Sequence, residues 1–280
     1  MSLGYKAWLR LKKNKMAMVS IWLLSILTLA AVFLPFVMPH EYDEIFWDFI
    51  LSPPNLENNN WMGTDPNGRD LAVRILYGMR VSLSVGLLGT LVTAVIGITY
   101  GAISGFAGKK TDALMMRFVD FLYAIPFMFF VIIMMVVFGR QFLLVFIAIG
   151  MIEWLTMARI VRGQTLSISK MDYVEAAYAI GTPKHRIIIK HVVPNLLGTV
   201  FVYVTLKVPE IILIESFLSF LGLGVQEPLT SLGVLISEGV NSIESASWLL
   251  IFPSIFLTII LFTLNFIGDG LRDAIDPKDK

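Results

Sequence analysis

Long apolar stretches dominate the chain and set its predicted elements. Four of them contain no Asp, Glu, Lys, Arg or His: 16–38, 81–108, 121–139 and 245–268. Each holds 19 to 28 residues, and a helix needs about 20 residues to cross a bilayer. Two further apolar stretches, 141–157 and 196–224, carry isolated charges. The pattern predicts an all-α membrane protein with six transmembrane helices.

The first apolar stretch follows a basic segment that contains Lys6, Arg10, Lys12, Lys13 and Lys15. A secretory signal peptide has the same order, but its apolar region is only about 7 to 15 residues long and ends at a small-residue cleavage site. Because this stretch has 23 residues, we interpret it as a retained membrane anchor. The predicted first span is 17–38, preceded by a cytoplasmic N-terminal segment, 1–16.

The distribution of Lys and Arg predicts the orientation of the chain. With the N-terminus inside, 16 basic residues fall in inner segments and four in outer segments. Basic residues are enriched on the cytoplasmic side of membrane proteins. Both termini are therefore expected in the cytoplasm.

Two predicted loops are longer than simple connectors. The outer loop, 39–80, contains the turn-forming sequence Ser52-Pro53-Pro54-Asn55. The remainder, 81–280, is predicted to be a core domain with five spans and a cytoplasmic loop at about 159–194. In that inner loop, strong helix formers precede Gly181, which is followed by Thr182-Pro183. This order predicts a short helix, a bend and a second helix through Lys190.

Composition excludes several classes of function. Hydrophobic residues make up 56% of the chain and charged residues 15%, against about 25% charged in soluble domains. A formal net charge of +1 leaves no basic excess to hold a nucleic acid. The absence of cysteine excludes disulfides and thiolate chemistry and leaves the redox compartment undetermined. The sequence around Gly108-Lys109 fails the phosphate-binding pattern, and the three histidines are scattered, so no catalytic or metal-ligating residue is predicted.

Several motifs resemble one transporter family. Glu175-Ala176-Ala177, Gly181 and Pro194 resemble the EAA loop of membrane subunits of binding-protein-dependent ABC importers. His191-Val192-Val193 departs from the general pattern toward the peptide-transport branch. Further segments resemble that branch, most closely the C-type subunits of oligopeptide permeases: 63–70, 157–165, 215–224 and 268–277.

This resemblance implies a fold, a function and a set of partners. The implied fold is the type I importer permease, MetI-like, in the bacterial cytoplasmic (inner) membrane. The implied function is ATP-driven import of oligopeptides, with dipeptides or a peptide-like metal chelate as the alternative substrate. The implied partners are a homologous second permease subunit forming a heterodimer, two ATP-binding subunits, an extracytoplasmic solute-binding protein, and membrane lipid. ATP and Mg²⁺ would be used by the ATP-binding subunits, and this chain would bind no cofactor.

In that family the EAA loop forms a coupling helix that docks into a groove of the ATPase. The residues agree with this role, since Ala176 and Ala177 allow close approach, Glu175 offers a carboxylate, and Gly181 permits a sharp turn.

Two alternatives come from other classes. One is an ion-driven secondary transporter, which would use the intramembrane carboxylates Glu153, Glu210 and Glu215, and the other is a non-transporting membrane scaffold.

Three charges lie within the predicted fifth span. At 100° per residue, Glu210 and Glu215 fall on either side of Lys207, so all three are expected on one helix face. Charges in hydrocarbon normally face a bundle interior, a partner or a water-filled path. A buried ion pair between Lys207 and Glu210 and a lining of the translocation pathway are both compatible with this spacing.

In the outer loop, Asp65 and Arg69 have two interpretations. In one, they contact a binding protein that delivers the substrate. In the other, they form a local turn and helix cap, with Asp70 and Arg74 as an i,i+4 ion pair.

In the second span, small residues recur every four positions: Gly89, Thr93, Gly97, Gly101 and Gly105. This spacing favours close helix packing over a flexible hinge.

Overall fold

A computed structural model describes residues 3–57, 59–139 and 142–275, except the side chains of residues 3–4 and 142–145. Within these ranges every element longer than a turn is helical, so the predicted all-α class is confirmed. The α-helices are α1 Leu3–Lys13, α2 Lys15–Phe33, α3 Leu71–Ala107, α4 Lys109–Tyr123, α5 Phe127–Phe138, α6 Phe142–Ile168, α7 Asp172–Ala179, α8 Lys184–Ile187, α9 Val193–Phe220, α10 Leu232–Asn241 and α11 Trp248–Ile275. A π-helical segment, Ile188–Val192, joins α8 to α9.

Four helical segments in the described ranges are long and apolar enough to cross a membrane: Lys15–Phe36, α3, Lys184–Phe220 and α11. The pair α4 and α5 meets the same test jointly, with a bend of 76° between the two helices. The structure therefore gives four or five candidate spans, and the sixth span and the cytoplasmic termini stay predictions. The 27-residue helix α6 covers the stretch for which the remaining span is predicted.

Helix α3 lies at the centre of the bundle, between α6 and α9. Its small residues make this close packing possible. A Cβ added to Gly97 would lie 2.5 Å from Cγ of Met157, and one added to Gly101 would lie 2.8 Å from Cβ of Val161. The predicted packing role of the four-residue repeat is confirmed.

Helix α3 begins within the predicted outer loop, 39–80. The helix begins at Leu71, ten residues before the apolar stretch, because Asp70 caps its N-terminus by accepting a hydrogen bond from the Ala72 N–H at 2.8 Å. Arg74 and Arg80 lie before the uninterrupted apolar stretch, so the length of that stretch alone does not indicate these first ten helical residues. Arg80 donates to the backbone carbonyls of Ala31 and Val32 at the end of α2.

The third apolar stretch, 121–139, is not one straight helix as predicted. Helix α4 ends at Tyr123, and α5 begins after Pro126, which lacks an N–H and disfavours helical geometry in the preceding residue. Helix α4 extends back to Lys109 and is joined to α6 by Arg162, whose guanidinium donates to both carboxylate oxygens of Asp112 at 2.5 and 2.6 Å.

The inner loop has the predicted short helix and bend. Helix α7 ends at Ala179, and Gly181 has φ +80°, a conformation that favours glycine and that most other residues adopt only with strain. The second helix does not end at Lys190. It runs through the π-helical segment into α9, so the loop is continuous with the fifth predicted span.

Candidate functional site

The outer charges Asp65 and Arg69 are buried within the chain. Asp65 is 0% exposed and Arg69 6% exposed, and their side chains form an ion pair with Nε and Oδ2 2.7 Å apart. The Asp65 carboxylate also accepts from the Asn67 and Arg69 backbone N–H groups, forming a local turn. The geometry agrees with the turn interpretation, and Asp65 has no exposed surface for a binding protein to contact.

The same charges form a network that joins the outer segment to the end of the bundle. Arg69 pairs with Glu227 at 2.9 Å, and the fully buried Arg74 pairs with both Asp65 and Glu238 of α10. The predicted Asp70–Arg74 pair is wrong, because Asp70 caps α3 instead. Burial raises the pKa of the Asp70 carboxyl, although its hydrogen bonds to the first turn of α3 act in the opposite direction.

Midway along α9, Lys207 forms two ion pairs. Its ammonium lies 2.7 Å from Oε2 of Glu153 on α6 and 2.8 Å from Oε2 of Glu210. The Glu153 side chain is 13% exposed, whereas that of Glu210 is 51% exposed. Lys207 and Glu210 are in contact, as one of the two alternatives requires, but Glu210 is half exposed and the more buried partner of Lys207 is Glu153.

Glu215 lies apart from this cluster, so the predicted single face for all three charges is wrong. Glu210 and Glu215 fall on opposite sides of Lys207 and are separated by about 140° around α9. Glu215 is fully buried against α3 and accepts from Ser82 at 3.1 Å and from Ser219 at 2.6 Å. Ser231, the N-cap of α10, lies 3.3 Å from the Ser219 hydroxyl. Hydroxyl groups, and not a cation, therefore hold this carboxylate in the described structure.

Sequence reasoning considered Glu153 only for the ion-driven alternative and missed it as the partner of Lys207. The available signal was a single acidic residue in the apolar stretch 141–157, which is expected to seek a buried partner. The partners Glu227 and Glu238 carried no such signal, because they lie between the apolar stretches 196–224 and 245–268 and not within one. Among the described residues, no three His, Asp or Glu side chains converge so as to hold a metal ion.

Helix α7 lies at the opposite end of the molecule from the outer network. Two residues, Val174 and Ala177, are buried in an apolar cluster with residues of α3, α6 and α9. Glu175, Ala176 and Tyr178 are exposed on the other side of the helix. Of the two alanines predicted to allow close approach, only Ala176 faces outward. Pro194 is exposed in the first turn of α9.

The exposed side of α7 has an apolar end. Ile180, which follows the helix, is 83% exposed, and Tyr178 is 58% exposed. A shallow cavity beside them is lined by Phe106, Ser169, Val174, Glu175, Tyr178 and Ala179. An anchored helix that presents one carboxylate, small residues and exposed apolar side chains has the features of a protein docking surface.

Comparison with known proteins places the chain in a family. Residues 97–279 match the family described as "Binding-protein-dependent transport system inner membrane component". Residues 2–54 match the family described as "N-terminal TM domain of oligopeptide transport permease C". The two matches together include α7, the central cluster around Lys207 and the first apolar helix.

Similar proteins cover nearly the whole chain. The oligopeptide transport system permease protein OppC of Haemophilus influenzae is 51% identical over 279 residues, covering 100% of this chain and 90% of the relative. The dipeptide transport system permease protein DppC of Bacillus subtilis is 42% identical over 280 residues, covering 99% and 87%.

A solved structure of the MetNI methionine ABC transporter, in an inward-facing conformation, has a TM-score of 0.60 and covers 72% of this chain and 96% of its own. Its sequence identity of 18% supports a shared fold alone, in agreement with the predicted MetI-like class. The chain therefore belongs to the family of binding-protein-dependent transport system inner membrane components, in the branch of the C-type oligopeptide permeases.

Proposed function

We propose that the chain is one of two membrane subunits of an importer that carries oligopeptides across the bacterial inner membrane. The similar proteins named above are permeases of oligopeptide and dipeptide transport, and the former is the more similar to this chain. Dipeptides or a peptide-like metal chelate are the alternative substrates. The pathway would be completed by a homologous second permease subunit.

The observation that carries this proposal is the geometry of α7. The helix is held by buried Val174 and Ala177 and leaves Glu175, Ala176 and Tyr178 exposed, and a glycine with positive φ lies two residues after its end. We assign it the role of the coupling helix, docked into one of two ATP-binding subunits. ATP and Mg²⁺ belong to those subunits.

The residues packed against α7 suggest how a movement of the ATP-binding subunits would be transmitted to the transmembrane helices. Val174 and Ala177 contact a cluster that includes Ala102 of α3, Val161 of α6 and Leu196 at the start of α9. Close-packed interiors move as units and do not deform continuously. Closure of the ATP-binding subunits would therefore rotate α3, α6 and α9 together, opening the pathway alternately to the two sides.

The orientation required by this mechanism has both termini and α7 in the cytoplasm and the segment before Leu71 outside. It requires six spans, with α6 as one and the bent pair α4 and α5 as another. The excess of basic residues in the inner segments supports this arrangement. An extracytoplasmic binding protein would then deliver peptide at the end of the bundle formed by the outer segment and α10.

The pathway is expected along the free face of α9. Glu210 lies on a stripe of exposed residues that includes Tyr203, Leu213 and Phe217. A half-exposed carboxylate among apolar side chains at mid-helix requires a water-filled path or a polar partner beyond this chain. Glu215 is buried on a different side of α9, where it accepts hydrogen bonds from serine hydroxyl groups. We therefore assign it a structural role and not a place in the pathway.

Transport in sealed vesicles tests this function. The chain would be co-reconstituted with the second permease, the two ATP-binding subunits and the binding protein, and uptake of a labelled pentapeptide measured. We expect uptake that needs ATP hydrolysis and persists when an ionophore collapses the ion gradients. If the ionophore alone abolishes uptake, the chain is part of an ion-driven transporter. If no uptake occurs although the ATP-binding subunits are bound, the chain is a non-transporting scaffold. Competition by unlabelled dipeptides or a metal–peptide chelate would rank the alternative substrates.

A further inference from the structure

An apolar cavity lies between α1, α9 and α11. Its volume is about 580 Å³, and its lining includes Lys6, Arg10, Phe201 and Ile275. A second cavity, about 430 Å³, shares Phe201 and Ile275 with the first and reaches Ile98 of α3. The two cavities adjoin on α9 and together are called the groove. Basic side chains line the first cavity, and the second is lined by apolar residues alone.

Gly198 of α9 lines both cavities. A Cβ added at this glycine would have no heavy atom of the described residues within 4 Å. The floor of the groove is therefore open, and a larger side chain at this position would occupy the groove without displacing a neighbour.

Helix α1 forms one wall of the groove and is held firmly in place. Its Leu11 is buried against Ala17 of α2 and Ala274 of α11. The close approach depends on Gly270, where an added Cβ would lie 3.1 Å from Cδ1 of Leu11. Arg10 also donates to the Ala274 carbonyl at 3.4 Å.

The outward side of α1 has the character of a helix at a membrane surface. Tyr5, Trp8 and Leu9 are exposed on one face, at 40 to 48% of their surface. The ammonium of Lys12 lies 5.2 Å from the Trp8 ring. The other three basic residues of α1 lie away from this face. Aromatic residues and Leu on one face with most of the basic residues on another are typical of helices that lie in the headgroup region.

We propose that this groove binds one anionic phospholipid. Lys6 and Arg10 at its mouth match a phosphate group, and the apolar length beyond them matches an acyl chain. Residues 3–15 contain five basic residues and no acidic residue, so an anionic headgroup is favoured over a zwitterionic one. The proposal rests on the proposed cytoplasmic position of the N-terminus, because anionic lipids attract basic segments on that leaflet.

Lipid retention by the purified permease heterodimer tests the proposal. The complex would be extracted into detergent with equal amounts of phosphatidylglycerol and phosphatidylcholine, and bound lipid quantified by mass spectrometry. We expect about one phosphatidylglycerol per chain. The double variant Lys6→Gln with Arg10→Gln and the variant Gly198→Phe should each lower this at least fivefold.

The matched control is Lys12→Gln with Lys13→Gln, which removes the same charge from the same helix but lies outside the cavity lining. It should change retention less than twofold. Equal loss in the control, equal retention of phosphatidylcholine, or unchanged retention in Gly198→Phe would each overturn the proposal. Loss of the second permease from Gly198→Phe, with lipid unchanged, would show that the groove is a subunit interface.

Two measurements separate this proposal from the proposed function. Size-exclusion profiles and melting temperatures test whether each variant is folded. We expect all of them to fold, because none of the substituted residues is buried. Normal ATP-dependent uptake without bound phosphatidylglycerol would refute the lipid site alone. Specific lipid retention without any uptake would refute the importer alone.

Discussion

The Lys207 ammonium on α9 lies 2.7 Å from a carboxylate oxygen of Glu153 on α6, 54 residues earlier in the chain. This contact neutralises Lys207 inside the bundle and leaves Glu210, its second partner, half exposed with no further cation supplied by the described residues. The three side chains together carry a formal charge of −1. A net charge in hydrocarbon is costly, so this geometry assigns Glu210 to the face that meets the pathway or the second subunit.

The first prediction separates the roles of Lys207 and Glu210. Lys207→Met leaves Glu153 as an uncompensated charge and should cost about 3 to 5 kcal/mol of stability. Glu210→Gln leaves the Lys207–Glu153 pair intact, so it should assemble normally and lower peptide uptake at least tenfold. Melting temperature of the purified complex and uptake in vesicles are the two measurements.

The control is Lys207→Met combined with Glu153→Leu, which removes the buried pair as a unit and should recover most of the stability lost by the single variant. Normal uptake by Glu210→Gln would return Glu210 to a purely structural role.

The second prediction concerns the bend after α7. Gly181→Val should uncouple ATP hydrolysis from transport, because φ of +80° is strongly unfavourable for a β-branched residue. Steric contact is not the cause, since an added Cβ would meet no atom within 4 Å in the described structure. Gly181→Asn is the matched control, because Asn tolerates this backbone region. Wild-type uptake by Gly181→Val, with the ATP-binding subunits bound, would disprove the assignment of α7.

The third prediction concerns the outer network. Arg74→Met removes the cation that joins Asp65 to Glu238 and should destabilise the chain by about 3 to 5 kcal/mol, because Arg74 is 1% exposed. Glu57→Gln, an exposed substitution in the same outer segment, should stay within about 0.5 kcal/mol of the wild type. Thermal unfolding of the purified complex measures both. An unchanged melting temperature for Arg74→Met would show that the network contributes nothing to stability.

The fourth prediction uses the absence of cysteine. A single cysteine at Asn59 should react with a membrane-impermeant maleimide added to intact cells, whereas one at Tyr178 should react only after lysis. Both positions are exposed. A fusion reporter after Lys280 should be cytoplasmic. Labelling of both cysteines in intact cells, or an external reporter, would exclude the six-span topology.

The fifth prediction compares two glycines in helices. Gly101→Ala should destabilise the bundle, because the added Cβ would lie 2.8 Å from Cβ of Val161. Gly163→Ala, where the added Cβ meets no described atom within 4 Å, should stabilise α6 by about 0.5 to 1 kcal/mol. The relative melting temperatures provide the check, and equal values would show that α3 and α6 adjust freely to an added methyl group.

The apolar stretches, the motifs and the glycine repeat determined the all-α class, the family and the close packing of α3. These features depend on local composition and spacing, which the linear sequence contains in full. The bend at Gly181 was also predictable, because a glycine followed by Thr-Pro after strong helix formers is a local signal.

The partners of the charged side chains were decided only by tertiary structure. Asp65 pairs with Arg69 nearby, but Arg74 reaches Glu238 and Lys207 reaches Glu153 across 164 and 54 residues. Helical spacing placed Glu215 beside Lys207, yet it is buried against serines of α3 and α9. Spacing along one helix specifies an angle around that helix, but the neighbouring helix that occupies the angle depends on how the whole bundle packs.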